Sequence, residues 1–179
     1  MYQQLTKDAI RDELEATRTA FHALSDSLSE ADRQRRSTNA AWTNGEVLFH
    51  ITFAFMLLPK LMWLIRFFGR LPKQWSKPFA MLLNFSTPVF NWINGLAPHG
   101  GARLYHGQRL DRKYDREHAH ILHLLNTLPD AELQRGMYYP DKWDGLFRPY
   151  MTLADLFVYP TIHFRFHRDQ IAGSTATNE

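Results

Sequence analysis

Apolar side chains return at steps of three and four along four separate stretches of this chain, and strand-type alternation is essentially absent. Ile10, Leu14, Thr17, Phe21, Leu24 and Leu28 mark one face of a helix over about 6–28. A charged connection, Ser29 to Ala41, leads to a second helix, whose start is written as a capping box: Thr43 with Glu46 three residues on. Its inner stripe is Val47, His50, Ile51, Ala54 and Leu58, but Phe49, Phe53 and Met56 make the other side apolar, so it must be covered on more than one face. Pro59 is expected to kink or break it by removing the bond to Phe55, and Gly69 and Pro72 mark its end. A third helix over about 106–128 carries Leu110, Tyr114, His118, Ile121, Leu125 and Leu128 on one stripe. The fourth opens at Thr152, with Asp155 as capping partner, and runs to Gly173.

The stretch from about Leu71 to Tyr105 is an unusually long aromatic and apolar connection. Two short helices are expected in it, one opening at Ser76-Lys-Pro78 and one at Thr87-Pro88, each with a capping residue before a proline. A connection of that length can carry the chain back to the starting end, so that helices two and three run parallel. The pattern therefore predicts an all-α four-helix bundle with a long, partly helical apolar insertion between helices 2 and 3. It forms one domain over 1–173, followed by a disordered tail at 174–179.

At 179 residues and a net charge of +3 the chain can bury a sizeable core, and its basic residues are scattered, with no accompanying nucleic-acid motif. Nucleic acid is not an expected partner. The absence of cysteine excludes disulfides, thiolate metal sites and a cysteine nucleophile. Together with an N-terminus that lacks a signal-peptide core, this fits a cytoplasmic protein. The most apolar run, Val47 to Phe68, is interrupted by His50, Pro59, Lys60 and Arg66, which argues for a buried or interface helix over a membrane-spanning one.

The chemistry lies in the histidines. His163 and His167 stand one helical turn apart on the inward stripe of the fourth helix, and His50 lies on the inward stripe of the second. Two imidazoles in a bundle interior need partners, and a metal satisfies both at once; three leave an open coordination position. The plainer alternative is that each histidine is hydrogen-bonded in the core or lines a cleft edge. His118, on the inner stripe of the third helix, could line the same cavity. Glu46, one turn before His50, is a capping residue that could also act as an acceptor or base. Tyr159 precedes His163 by four residues and could reach the site, and Gln170 could orient an imidazole through its second nitrogen. The loop Tyr138 to Trp143 is a candidate lid.

Two motifs carry a resemblance. Trp42-Thr-Asn-Gly-Glu46-Val-Leu-Phe-His50-Ile51 resembles the second-helix start of the DinB-like (YfiT-like) family. Thr152 to Ile171, with its His163-x-x-x-His167-x-x-Gln170-Ile171 ending, is similar to that family's fourth helix. Leu-x-x-Leu-Pro-Asp-x-x-Leu, from Leu125 to Leu133, also fits, and the likeness spans roughly Leu5 to Ile171. It implies a helical bundle that holds a divalent metal (zinc, nickel, iron or manganese) on His50, His163 and His167. It further implies a metal-dependent small-molecule enzyme of the thiol-dependent transferase, hydrolase or isomerase type, with a low-molecular-weight thiol as one cosubstrate. Two departures stand out: the Phe55–Leu96 region is longer and more apolar than the family pattern, and Pro160 falls one turn before the first ligand of the last helix, where it could re-aim His163. The apolar Phe53–Leu96 surface supports a second reading, a non-catalytic module that binds an apolar ligand, a membrane surface or a protein partner there. A larger core or a homodimer seam would account for the same residues.

Overall fold

The long helices of the bundle bury the faces that their periodicity marks. The computed structural model describes residues 6–39 and 41–171. Helix α1 (Lys7–Ser27) starts at Thr6, whose hydroxyl accepts from the Ala9 amide, and buries Ile10, Leu14, Thr17, Phe21 and Leu24. The charged connection contains a five-residue helix, α2 (Glu30–Gln34), held by a capping box of Ser29 and Asp32 that the sequence reading passed over.

Helix α3 (Asn44–Phe68) opens at the expected Thr43–Glu46 box and buries 13 of its 25 residues. By length and composition it could cross a membrane, yet most of that apolar surface is spent inside the bundle. Of the kink or break expected at Pro59, the break does not occur, and the helix runs through it. Buried Leu58, Leu61, Met62 and Ile65 anchor the helix around the lost hydrogen bond, and tertiary packing outweighs a local cost of about 3 kcal/mol.

The insertion folds as a 3₁₀ turn (Lys73–Trp75), α4 (Ser76–Phe85) and α5 (Thr87–Leu104). Both starts fall where expected, but neither Ser76 nor Thr87 caps. Their hydroxyls instead donate backwards, to the carbonyls of Lys73 and Asn84. Nor is α5 short: it spans 18 residues and continues through Pro98. It seats closely on α3 at Gly101, where a Cβ would lie 2.0 Å from the Phe49 ring. Gly107, at φ +50°, turns the chain into α6 (Gln108–Thr127).

A second 3₁₀ turn (Asp130–Glu132) leads to a small antiparallel pair, β1 (Gly136–Tyr138) and β2 (Tyr150–Thr152). Three-residue strands are too short to show alternation, so the sequence reading missed them. Helix α7 (Leu153–Arg168) follows from the Thr152–Asp155 box. It ends in a turn at Asp169 and Gln170; the expected stop at Gly173 and the tail at 174–179 lie outside the described residues.

The contacts fix the directions. Arg11 meets Asn126 and Ser25 meets Asp111, so α1 and α6 are antiparallel. Phe55 packs on Tyr114, while Met62 and Trp63 gather beside His120 and Leu124, so α3 and α6 run parallel, as the long connection allows. His163 and His167 lie against His50 while Phe157 lies beside Met62, making α7 antiparallel to α3. The result is an up-down-down-up bundle of α1, α3, α6 and α7.

Candidate metal centre

Two capping boxes set the phase of the two helices that matter. Counted from Thr43, His50 falls on the inner face of α3; counted from Thr152, His163 and His167 fall on the inner face of α7. The antiparallel packing of these helices brings the three rings together, with centroids 4.9, 4.5 and 4.4 Å apart. Pro160 is buried within α7 and does not carry His163 away from its partners.

One nitrogen from each ring lies within 4.8 Å of the others, and the Nε2 atoms of His50 and His163 are 3.2 Å apart. Two imidazole nitrogens at about 2.0–2.1 Å from a tetrahedral metal stand about 3.3 Å from each other. The donor set is therefore compatible with a divalent cation. The Nδ1 atoms of His50 and His163 are buried without a hydrogen-bond partner, so these two rings bond to each other through Nε2 alone.

His167 is oriented differently. Gln170 Oε1 accepts from Asn39 Nδ2 at 2.9 Å and lies 3.0 Å from His167 Nδ1. A carbonyl oxygen cannot donate, so His167 carries its proton on Nδ1, and Nε2 keeps a free lone pair. Gln170 thus stands against the second nitrogen of His167. All three rings are held neutral. Burial, reinforced by the neighbouring His167, pushes His50 down to about 3. Burial also holds His163 well below the ordinary histidine value, with His50 and His167 adding to it, and lowers His167 despite its bond to Gln170.

Around the cluster the wall is mixed. The Trp42 ring lies tilted against His50 with centroids 4.6 Å apart, and its indole N–H donates to the Gly95 carbonyl, tying this wall to α5. A small pocket against His50 and His163 is closed by Phe53 and Ala54 of α3, Phe90 and Asn94 of α5, and Asp144, Phe147 and Tyr159. Tyr159 lies 5.3 Å from His163 and donates its hydroxyl proton to Asp144 Oδ2 at 2.7 Å. Burial, together with the charge and acceptor bond of Asp144, raises Tyr159 well above the ordinary tyrosine value, so the phenol keeps its proton.

Two expectations need correction. His118 does not line this cavity: its Nε2–H donates to the Leu14 carbonyl between α6 and α1, beside Tyr114 and Phe55. Glu46 does not reach His50: one oxygen accepts from the Thr43 amide and the other pairs with His99 at 2.6 Å. Of the loop expected as a lid, Tyr138 to Trp143, no residue lines the small pocket. Trp143 stacks on Phe90, and it is Asp144 and Phe147 that border the site, while Tyr138 belongs to β1. Asp144, Asn39 and the α5 residues went unnoticed in the sequence, because only the folded loops and insertion bring them near.

The sequence model of the DinB superfamily matches residues 13–171, which takes in both capping boxes and all three histidines. No curated protein and no solved structure is significantly similar to the chain. The family match covers the bundle and its insertion alike, and on it the chain belongs to the DinB superfamily.

Proposed function

We propose that the protein is a divalent-metal-dependent enzyme acting on a small molecule, with the metal held by His50, His163 and His167. The observation that carries this reading is the convergence of three buried, neutral imidazoles from two helices, each with one nitrogen within 4.8 Å of the others. Membership in a superfamily does not by itself give an activity, so the argument rests on the site. Zinc, nickel, iron or manganese would each accept nitrogen donors of this kind. The bound metal supplies Lewis acidity, lowering the pKa of a coordinated water or thiol or polarising a substrate oxygen.

The remaining chemistry belongs to the chain. Gln170 fixes the tautomer of His167 so that its lone pair faces the cluster. Phe53, Phe90 and Phe147 keep the pocket dry, which strengthens every electrostatic contact inside it. Asp144 is the carboxylate on the pocket wall. With the Tyr159 phenol donating to it, it is placed to take a proton from an incoming thiol, water or substrate and return it. This fits transfer to or from a low-molecular-weight thiol, hydrolysis or isomerisation.

The test is elemental analysis of protein purified without a histidine tag, beside a His163→Ala/His167→Ala variant. A divalent metal in the parent that is lost in the variant supports the reading and directs a screen of thiol transfer and hydrolysis. No metal in either after reconstitution overturns it.

A further inference from the structure

From Val47 to Leu110 the chain contains no aspartate or glutamate, whereas seven lysines and arginines fall in that stretch, among them Lys60, Arg70, Lys73 and Lys77. The same stretch builds most of α3, all of α4 and α5, and the most apolar exterior of the molecule. Trp75, just before α4, begins a stripe that continues through Leu82 and Phe85 on α4 and Val89, Trp92 and Leu96 on α5. From Leu82 it advances by threes and fours, and every member is 48–83% exposed. These residues are not spare core. The inner side of each helix is already occupied: Ser76 accepts from the Tyr138 amide, Ala80 is buried, and Phe90 stacks on Trp143. At the outer edge of α3, Trp63 and Phe67 stack at 5.8 Å and add a third exposed tryptophan.

We propose that this face lies on the surface of an anionic lipid bilayer, with α4 and α5 in the plane of the headgroups. A helix with Trp, Phe and Leu on one side and lysine on its flanks has the composition of an interfacial anchor. Exposed tryptophans gain at the headgroup level, where the ring is half dehydrated and the indole N–H stays wet. The charge pattern selects this occupant over a second copy of the chain. A symmetric dimer through this face would set two acid-free, cationic segments against each other. Acidic lipid supplies the counter-charge that the segment itself lacks. The proposal stands independently of the metal site.

The test is flotation of the full chain with vesicles of phosphatidylcholine alone and of phosphatidylcholine mixed with phosphatidylglycerol, at low and high salt. The expected result is partition onto the phosphatidylglycerol vesicles, with a blue shift of tryptophan emission, little partition onto phosphatidylcholine, and release by salt. Phe85→Glu/Trp92→Glu, both exposed, should keep the circular dichroism of the parent and bind at least about tenfold more weakly. Lys73→Gln and Lys77→Gln should each cost roughly fivefold. Failure to float with either vesicle overturns the proposal. So does equal binding to both, or a dimer in sedimentation velocity that Phe85→Glu/Trp92→Glu converts to monomer; that last result would assign the face to a second copy.

Discussion

Replacing His50 and His163 together by leucine should make the metal-free protein more stable while abolishing its response to metal. Without an ion the two rings share one hydrogen bond, Nε2 to Nε2 at 3.2 Å, and both Nδ1 atoms are buried and unpartnered. Each orphaned polar atom costs about 1–3 kcal/mol and the shared bond returns about 1, so the pair is a net liability of roughly 1–5 kcal/mol. Leucine is close to imidazole in volume, and the misfit should stay below about 1.5 kcal/mol. A gain of about 1–3 kcal/mol is therefore expected. His163→Leu alone should yield little of it, since both nitrogens of His50 would then be unpaired. The assay is urea unfolding followed by circular dichroism, once with chelator and once with zinc. Free metal at one hundred times its Kd should add about 2.7 kcal/mol to the parent and nothing to the double variant. A metal-free double variant less stable than the metal-free parent by more than about 1 kcal/mol would refute the reasoning.

Three further outcomes follow from the same structure. Burial lowers all three cluster histidines, His50 to about 3, from an unfolded value of 6.5, so in that window the unfolded chain binds more protons. Stability of the metal-free protein should thus be fully present above about pH 6.5 and decline as pH falls, by up to about 1.4 kcal/mol per pH unit for each histidine; thermal melts across pH 4–7 would read this. Gln170→Ala leaves every ligand in place but frees the His167 tautomer, and should weaken metal binding by about 10–100-fold in a competition titration with a chromogenic chelator. Gly101→Ala places a methyl group 2.0 Å from the Phe49 ring and should cost about 1–3 kcal/mol in chemical denaturation, with α5 displaced from α3.

The bundle was legible because its determinants are local. The stripe from Ile10 to Leu24 and the Thr43–Glu46 and Thr152–Asp155 boxes state both where a helix starts and which side turns inward. His50, His163 and His167 inherit their direction from those boxes, so their convergence needed only the antiparallel packing of α3 and α7. What stayed hidden depends on partners distant in sequence. His118 lies on an inward stripe too, but its neighbour is the Leu14 carbonyl, a choice that only the α1–α6 register decides. Asp144 reaches the pocket through a loop whose path follows from the β1–β2 pairing and from Trp143 stacking on the insertion. Pro59 is a similar case: it removes one hydrogen bond, and the sequence does not display the packing that carries the helix through it.

His50 and His163 are 113 residues apart in a chain that has no cysteine. The unfolded chain would have to close that whole loop to hold both on one ion, so a metal bound as proposed would resist unfolding. The length of time a molecule survives among proteases would then depend on how much metal its surroundings supply.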